Sequence, residues 1–220
     1  MPVREIAVRC RGIGVDYGAV HALRDVDVDV LRGRLTVIAG PSGSGKSSML
    51  RALAGLERAT RGTIELDGVD VTRWRPSRRR RLRRRAMGVV LQEPSHNLLP
   101  YLTAREQLVL AARMRNATGD DVDELLDIVG LADRADNVPA ELSGGEQQRV
   151  AFAAAAVGTP SIVLADEPTA ALDAIAGERL LDAMRDLTRR GTTIVVTSHD
   201  LAVIDAADDV VRLRDGVLQR

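Results

Sequence analysis

Eight consecutive residues, Gly40-Pro41-Ser42-Gly43-Ser44-Gly45-Lys46-Ser47, combine three glycines with an ammonium and several hydroxyls. Glycines let successive backbone N–H groups curl around an anion, and a helix starting at Lys46 would add the positive end of its dipole. The spacing is GxxxxGK(S/T), in which the lysine reaches the outer phosphates of a nucleoside triphosphate and the Ser47 hydroxyl ligates Mg2+. Ser48 adds a further hydroxyl beside it. Lys46 is the single lysine among 31 basic residues. A compact ammonium and a planar guanidinium are not interchangeable in a tight site, so its presence marks the position.

Two further groups could act on the same ligand. Asp166 and Glu167 end the apolar run that begins at Ser161, just ahead of Pro168. An acid at such a strand end can hold Mg2+, and a second acid one residue on can orient and deprotonate an attacking water. Leu142-Ser143-Gly144-Gly145-Glu146-Gln147 reads first as a helix start, with Ser143 and Glu146 at capping-box spacing. Two consecutive glycines weaken a first turn by about 1 kcal/mol each relative to alanine, and a cap has no use for them. Their bare N–H groups would form a second anion site. One nucleotide and two such helix tips call for a dimer in which each site is completed by the partner.

The elements that would carry these groups alternate. Strands are expected at Asp25 to Val30, Leu35 to Ala39, Gly62 to Gly68, Met87 to Leu91, Ser161 to Ala165, Thr192 to Thr197 and Asp208 to Leu213. Helices are expected at Lys46 to Gly55, Thr103 to Arg115, Asp121 to Val129 and Ile175 to Arg190. Continuous apolar strands interleaved with helices imply an α/β fold with a mainly parallel sheet. The glycine-rich loop then falls between a buried strand and a helix, and the acidic pair at the end of another strand.

Composition bounds the rest. With 220 residues, 45% apolar, and no net formal charge, the chain suits one globular domain with a substantial core and excludes disorder as its dominant state. No apolar run approaches the ~18–20 residues that span a bilayer, and MPVREIAVRCRG at the start contains no apolar signal segment. Cys10 is the only cysteine, which excludes an internal disulfide and fits a reducing cytosol. Nine arginines and no acid occupy Arg73 to Arg85, with Trp74 the only aromatic there. The run reads as the solvated face of a helix, with lipid headgroups the next candidate and nucleic acid disfavoured for want of a stacking platform or base-reading motif.

The glycine-rich loop, LSGGEQ and the acidic strand end, in that order, resemble the ATPase subunits of ABC transporters over essentially all 220 residues. The resemblance implies a P-loop NTPase core with an antiparallel β subdomain and a helical subdomain of about 93–158, all in one domain. It implies ATP and Mg2+ as ligands, with Tyr17 stacking on adenine and Gln92 sensing Mg2+ and linking to a membrane partner. Ala170-Ala171-Leu172-Asp173 matches the D-loop, Asp173 included, and His199 matches the histidine that contacts the γ-phosphate; His21 and His96 match no such role. The family's arginine in the helix after the signature is replaced here by Ala154, which bears on how that helix packs. There is also no long C-terminal extension to suggest a regulatory domain.

By the same resemblance, two copies pair head to tail around two ATP molecules, and integral-membrane permease subunits encoded elsewhere do the transport. The chain is then expected in the cytoplasm, peripheral on the inner face of the membrane. Asn97 to Leu108 and Gly62 to Thr72 are similar to the lipoprotein-release and macrolide-export branch. A soluble family member acting on DNA or ribosomes is the competing expectation, though the long coiled coil or the second ATPase unit of such members is not found. A cell-division regulator that signals without moving a solute is the third.

Overall fold

In the computed structural model, which describes residues 5–170 and 172–219, the apolar runs form the middle of a six-stranded sheet. Its order is β10 (Val217–Leu218), β9 (Asp209–Arg214), β3 (Leu35–Ala39), β8 (Thr193–Ser198), β7 (Ile162–Asp166) and β6 (Met87–Val90). All neighbours from β9 to β6 are parallel, and only β10 runs antiparallel. The reason for the unbroken apolar runs is visible in how successive residues divide. Leu35, Val37 and Ala39 join one core while Ile38 joins the other, and Val163 and Ala165 divide from Ile162 and Leu164 in the same way. A strand covered on both faces has no polar side to show.

One face packs against α3 (Ala104–Arg115), α4 (Val122–Ile128), α5 (Gly144–Ala156) and α6 (Ala174–Arg189). The other packs against α1 (Lys46–Leu53) and a four-stranded antiparallel sheet ordered β2 (Val20–Leu31), β1 (Ile6–Tyr17), β4 (Arg61–Leu66) and β5 (Val69–Asp70). A short α7 (Leu201–Asp205) follows β8. The α/β architecture with an additional antiparallel sheet agrees with the expectation.

Four of the strands and α-helices, β1, α7 and the two-residue β5 and β10, have no counterpart among the elements expected from the sequence. The twelve-residue β1 carries register shifts between Cys10 and Ile13 and again between Ile13 and Val15, so its buried positions do not alternate cleanly. Gly12, with φ of +62°, sits at the first of these. α7 is too short for periodicity to reveal.

The arginine run is helical, as α2 (Pro76–Ala86), with no fully buried residue. It is not simply solvated. Arg83 Nη1 donates to the carbonyls of Gly55 (2.8 Å) and Ala54 (3.4 Å), and Arg79 Nη1 to that of Glu57 (3.3 Å). These carbonyls lie at and just past the negative end of α1, where cations are favoured. Arg78 lies 3.6 Å over the ring of Trp74, so that face of the aromatic is covered from within the chain.

Candidate nucleotide site

The parallel order β3-β8-β7-β6 brings the carboxyl ends of four strands to one edge. Ala39 pairs with Ser198, Thr197 with Asp166, and Ala165 with Val90. Ligand sites in open α/β sheets lie beyond these ends. The residues following β3, β7, β8 and β6 are therefore the glycine-rich loop, Glu167, His199 and, one residue beyond Leu91, Gln92.

The loop after β3 folds as its glycines require. A Cβ on Gly40 would lie 2.2 Å from the Leu213 carbonyl, and one on Gly45 would lie 2.5 Å from that of Ala22. Gly45, at φ of +98°, immediately precedes α1. Lys46 is 6% exposed, and its Nζ donates to the carbonyls of Gly40 (2.9 Å) and Pro41 (3.1 Å) and lies 3.4 Å from Glu167 Oε1. One ammonium with three short donors serves this tight arc, where a guanidinium would not fit.

The acidic pair is held with equal care. Asp166 Oδ1 accepts from Ser47 Oγ (2.9 Å) and from Thr197 Oγ1 (2.6 Å). Thr197 Oγ1 in turn accepts the N–H of Glu167 at 2.9 Å. Glu167 adopts φ of +48°, a left-handed conformation that costs a non-glycine residue about 1–3 kcal/mol and is commonly kept at functional sites. His199 Nδ1 stands 3.0 Å from Glu167 Oε2. Thr197 was not singled out from the sequence. Its signal is a hydroxyl residue at the end of an apolar strand, two residues before the histidine, and the structure buries it fully.

Lys46, Ser47, Glu167 and His199 line one open cleft of about 660 Å3, a volume typical of small-molecule sites, together with Tyr17, Pro41, Ser42, Gly43, Gly45, Ser48 and Gln92, while Asp166 and Thr197 are buried behind its wall. Tyr17 Oη lies 3.4 Å from Ser48 Oγ, which sets its ring above the start of α1. His21, assigned no role from the sequence, also lines the cleft. The hairpin register that pairs Asp16 with His21 puts it there. His21 Nδ1 lies 2.6 Å from Asp16 Oδ1, and this contact, more than those from Thr60 and Arg61, holds the Asp16 carboxyl below the usual carboxylate range.

Gln92 is positioned by Asn97, which in the sequence only opens the stretch similar to the export branch. Asn97 Oδ1 accepts the N–H of Leu91 at 2.8 Å, and its Nδ2 donates to the carbonyls of Leu91 (2.8 Å) and Glu93 (3.0 Å). One amide thus holds the backbone on both sides of Gln92.

A Mg2+ fits this donor set. Ser47 and Asp166 present hard oxygens in contact with each other, and the Gln92 amide lines the same cleft. Among the described residues no group of three or more His, Cys, Asp or Glu could hold a metal, so further ligands have to come from phosphate or water.

Ser143, Gly144, Gly145 and Glu146 are not part of the cleft lining. Ser143 N–H donates to Glu146 Oε2 (2.8 Å) and Ser143 Oγ accepts from Glu146 N (3.2 Å), completing the capping box. Those contacts, the backbone bond first, hold the Glu146 carboxyl below its ordinary range. A Cβ on Gly144 would meet nothing within 4 Å, so the tip of α5 is open there, whereas one on Gly145 would lie 3.1 Å from Leu172 Cδ2. Asp173 is likewise away from the cleft and caps α6, accepting from Ala176 N at 2.8 Å. Ala171, in the same short match, lies outside the described residues.

The family described as "ABC transporter" matches residues 23–170. The chain belongs to the ABC transporter family. It is 43% identical over 204 residues to an uncharacterised ABC transporter ATP-binding protein of Thermotoga maritima, covering 91% of this chain and 86% of that one. It is 36% identical to the lipoprotein-releasing system ATP-binding protein LolD of Porphyromonas gingivalis, covering 96% and 98%. It is also 36% identical to the macrolide export ATP-binding/permease protein MacB of Neisseria meningitidis serogroup B, covering 95% of this chain and about a third of that protein's length. Among solved structures, a dimeric post-hydrolysis ATP-binding cassette bound to ADP and Pi superimposes with a TM-score of 0.87 at 33% identity, covering 97% of each chain. As a member of the ABC transporter family, the chain is an ATP-binding subunit and an ATPase.

Proposed function

We propose that this subunit hydrolyses ATP at two composite sites, each formed by the cleft of one copy and the open tip of α5 from a second copy. The observation that carries the reading is the separation within one chain. Lys46, Ser47, Glu167 and His199 line a single cleft, with Asp166 bonded to Ser47 behind it, while the exposed Ser143 cap stands outside it. An anion-binding helix tip that cannot reach its own nucleotide site suits a head-to-tail two-fold pair, and the dimeric cassette with ADP and Pi supports that arrangement.

The proposed roles follow from position. Gly40 to Ser48 cradle the phosphates, Tyr17 stacks on the adenine, and Ser143 to Glu146 of the second copy close over the γ-phosphate with help from the Asp173 segment. Ser47, Asp166 and Gln92 hold Mg2+, which when bound neutralises phosphate charge and orients the terminal phosphoryl group. Glu167, kept close to Lys46 and to Nδ1 of His199, takes the proton of the attacking water. His199 fixes that carboxylate and contacts the γ-phosphate, and Lys46 stabilises the charge that builds there.

The partner is proposed to be an integral-membrane permease, as the printed name of the MacB relative suggests, which would place this subunit on the inner face of the membrane. Residues of about 93–158, which include α3, α4 and α5, are proposed to act as the helical subdomain that moves on closure. The test is a Glu167→Gln variant purified from membranes in the presence of ATP. It should be at least 100-fold slower in turnover, bind ATP normally, and elute as an ATP-dependent dimer with a multi-span protein. Recovery of soluble partners alone would overturn the permease assignment, and retention of turnover would overturn the role of Glu167.

A further inference from the structure

Arg115, the last residue of α3, turns its guanidinium into the protein rather than into water. Nη1 donates to the carbonyls of Ala154 (3.2 Å) and Ala111 (3.5 Å), and Nη2 to those of Ala155 (2.9 Å) and Met87 (3.2 Å). Nε is buried without a partner. Among the described residues the guanidinium forms no ion pair, so its charge is met by carbonyl dipoles at contact and by Asp121 from further off.

Three of those carbonyls, of Ala154, Ala155 and Met87, belong to ends of elements. Ala154 and Ala155 sit in the last turn of α5, whose final carbonyls have no intrahelical donors and which carries no basic residue of its own there. A cation at a helix C-terminus is favoured, and Arg115 supplies it from a neighbouring helix. Met87 opens β6, the outermost strand of its sheet. The two ends also touch: a Cβ on Gly88 would lie 2.0 Å from the Ala155 carbonyl. The short side chains of Ala151, Ala154 and Ala155 line the same hollow as Arg115.

From this joint, two rigid elements lead to the two halves of the chemistry. β6 runs forward to Gln92 at the cleft, and α5 runs back to the Ser143 cap at its tip. We infer that Arg115 is a positioning residue: by clasping α3, α5 and β6 at one point, it fixes the Ser143 tip relative to the Gln92 segment, so that the two move together. Coupling of this kind needs a contiguous, rigid path, and a single guanidinium bridging three elements provides it. The inference rests on the composite-site reading above for its effect on turnover, while the mechanical part stands without it.

The test compares the parent with Arg115→Met and Arg115→Lys, all at matched folded fraction. In Arg115→Met, ATP binding to the monomer should stay within about twofold, since the phosphate loop rests on other elements. Turnover should fall about tenfold, and in a Glu167→Gln background the protein concentration needed for the ATP-driven dimer should rise by a similar factor. Arg115→Lys, with one donor group in place of a fork, should recover part of both. Amide hydrogen exchange should rise in residues 88–97 and 142–150 and stay unchanged in 40–50. Equal exchange in all three segments, or a loss of ATP affinity parallel to the loss of turnover, would overturn the inference. A parent without turnover or ATP-driven dimers would overturn the composite-site reading instead, and the exchange measurement would still decide on Arg115.

Discussion

Thr197 shows how one hydroxyl sets two acids. It donates to Asp166 Oδ1 and accepts the N–H of Glu167, whose backbone is held in a left-handed conformation next to it. Thr197→Val keeps the shape and removes both bonds, leaving the Glu167 N–H unpaired. We expect a stability loss of about 1–3 kcal/mol by denaturant unfolding. Turnover should fall at least tenfold, because the attacking water's base is no longer fixed. A variant that loses stability but keeps full turnover would mean that Glu167 is held by other contacts. Cys10 makes a different point at this scale. It is fully buried in the antiparallel sheet, and burial pushes its thiol up to about 12. A thiol reagent at pH 8 should label it only as fast as β1 and β2 open, so the labelling rate should climb with denaturant along the global unfolding transition. Fast labelling of the native protein would show that this sheet opens locally.

At the scale of elements, the arginines of α2 divide by what they touch. Arg83 reaches the carbonyls that end α1, the helix that begins at Lys46, whereas Arg84 bonds to nothing among the described residues. Arg83→Ala should cost about 1–2 kcal/mol, and Arg84→Ala less than about 0.5 kcal/mol, in parallel thermal and chemical unfolding. Equal costs would mean that the run acts as a uniform charged face. That division was not legible in the sequence, where nine similar arginines offer no period to separate them. The buried parallel strands were legible, because Leu35 to Ala39 and Ser161 to Ala165 are apolar on both faces, and so were the loop and the acidic pair they carry. β1 was not, because its bulges break the alternation that reveals a half-exposed strand. The positions of Thr197, Asn97 and His21 depend on strand order and hairpin register, which local patterns do not encode. The signature glycines were legible as an anomaly in a helix start. That they stand outside their own cleft could be seen only in the fold.

At the scale of the molecule, that separation makes a sharp prediction about mixtures. If each site takes Lys46 from one copy and Ser143 from the other, Lys46→Ala and Ser143→Arg chains fail for different reasons, and neither homodimer contains an intact site. A mixed dimer contains one site carrying both defects and one site carrying neither. Random pairing of equal amounts makes half of the dimers mixed, each with one working site of two, so turnover should recover to about a quarter of the parent's when the sites act independently. When both sites must fire together, turnover stays near zero, but the mixture still traps one ATP per mixed dimer in a Glu167→Gln background, which a filter-binding assay resolves. Recovery should also depend on total protein concentration, because pairing is bimolecular. A site built within one chain predicts the opposite on each count: no recovery, no trapped nucleotide, and turnover per chain that is independent of concentration. The geometry that decides between them is the tip of α5, capped by its own Ser143–Glu146 box and open at Gly144, on a part of the surface that the chain's own cleft does not include.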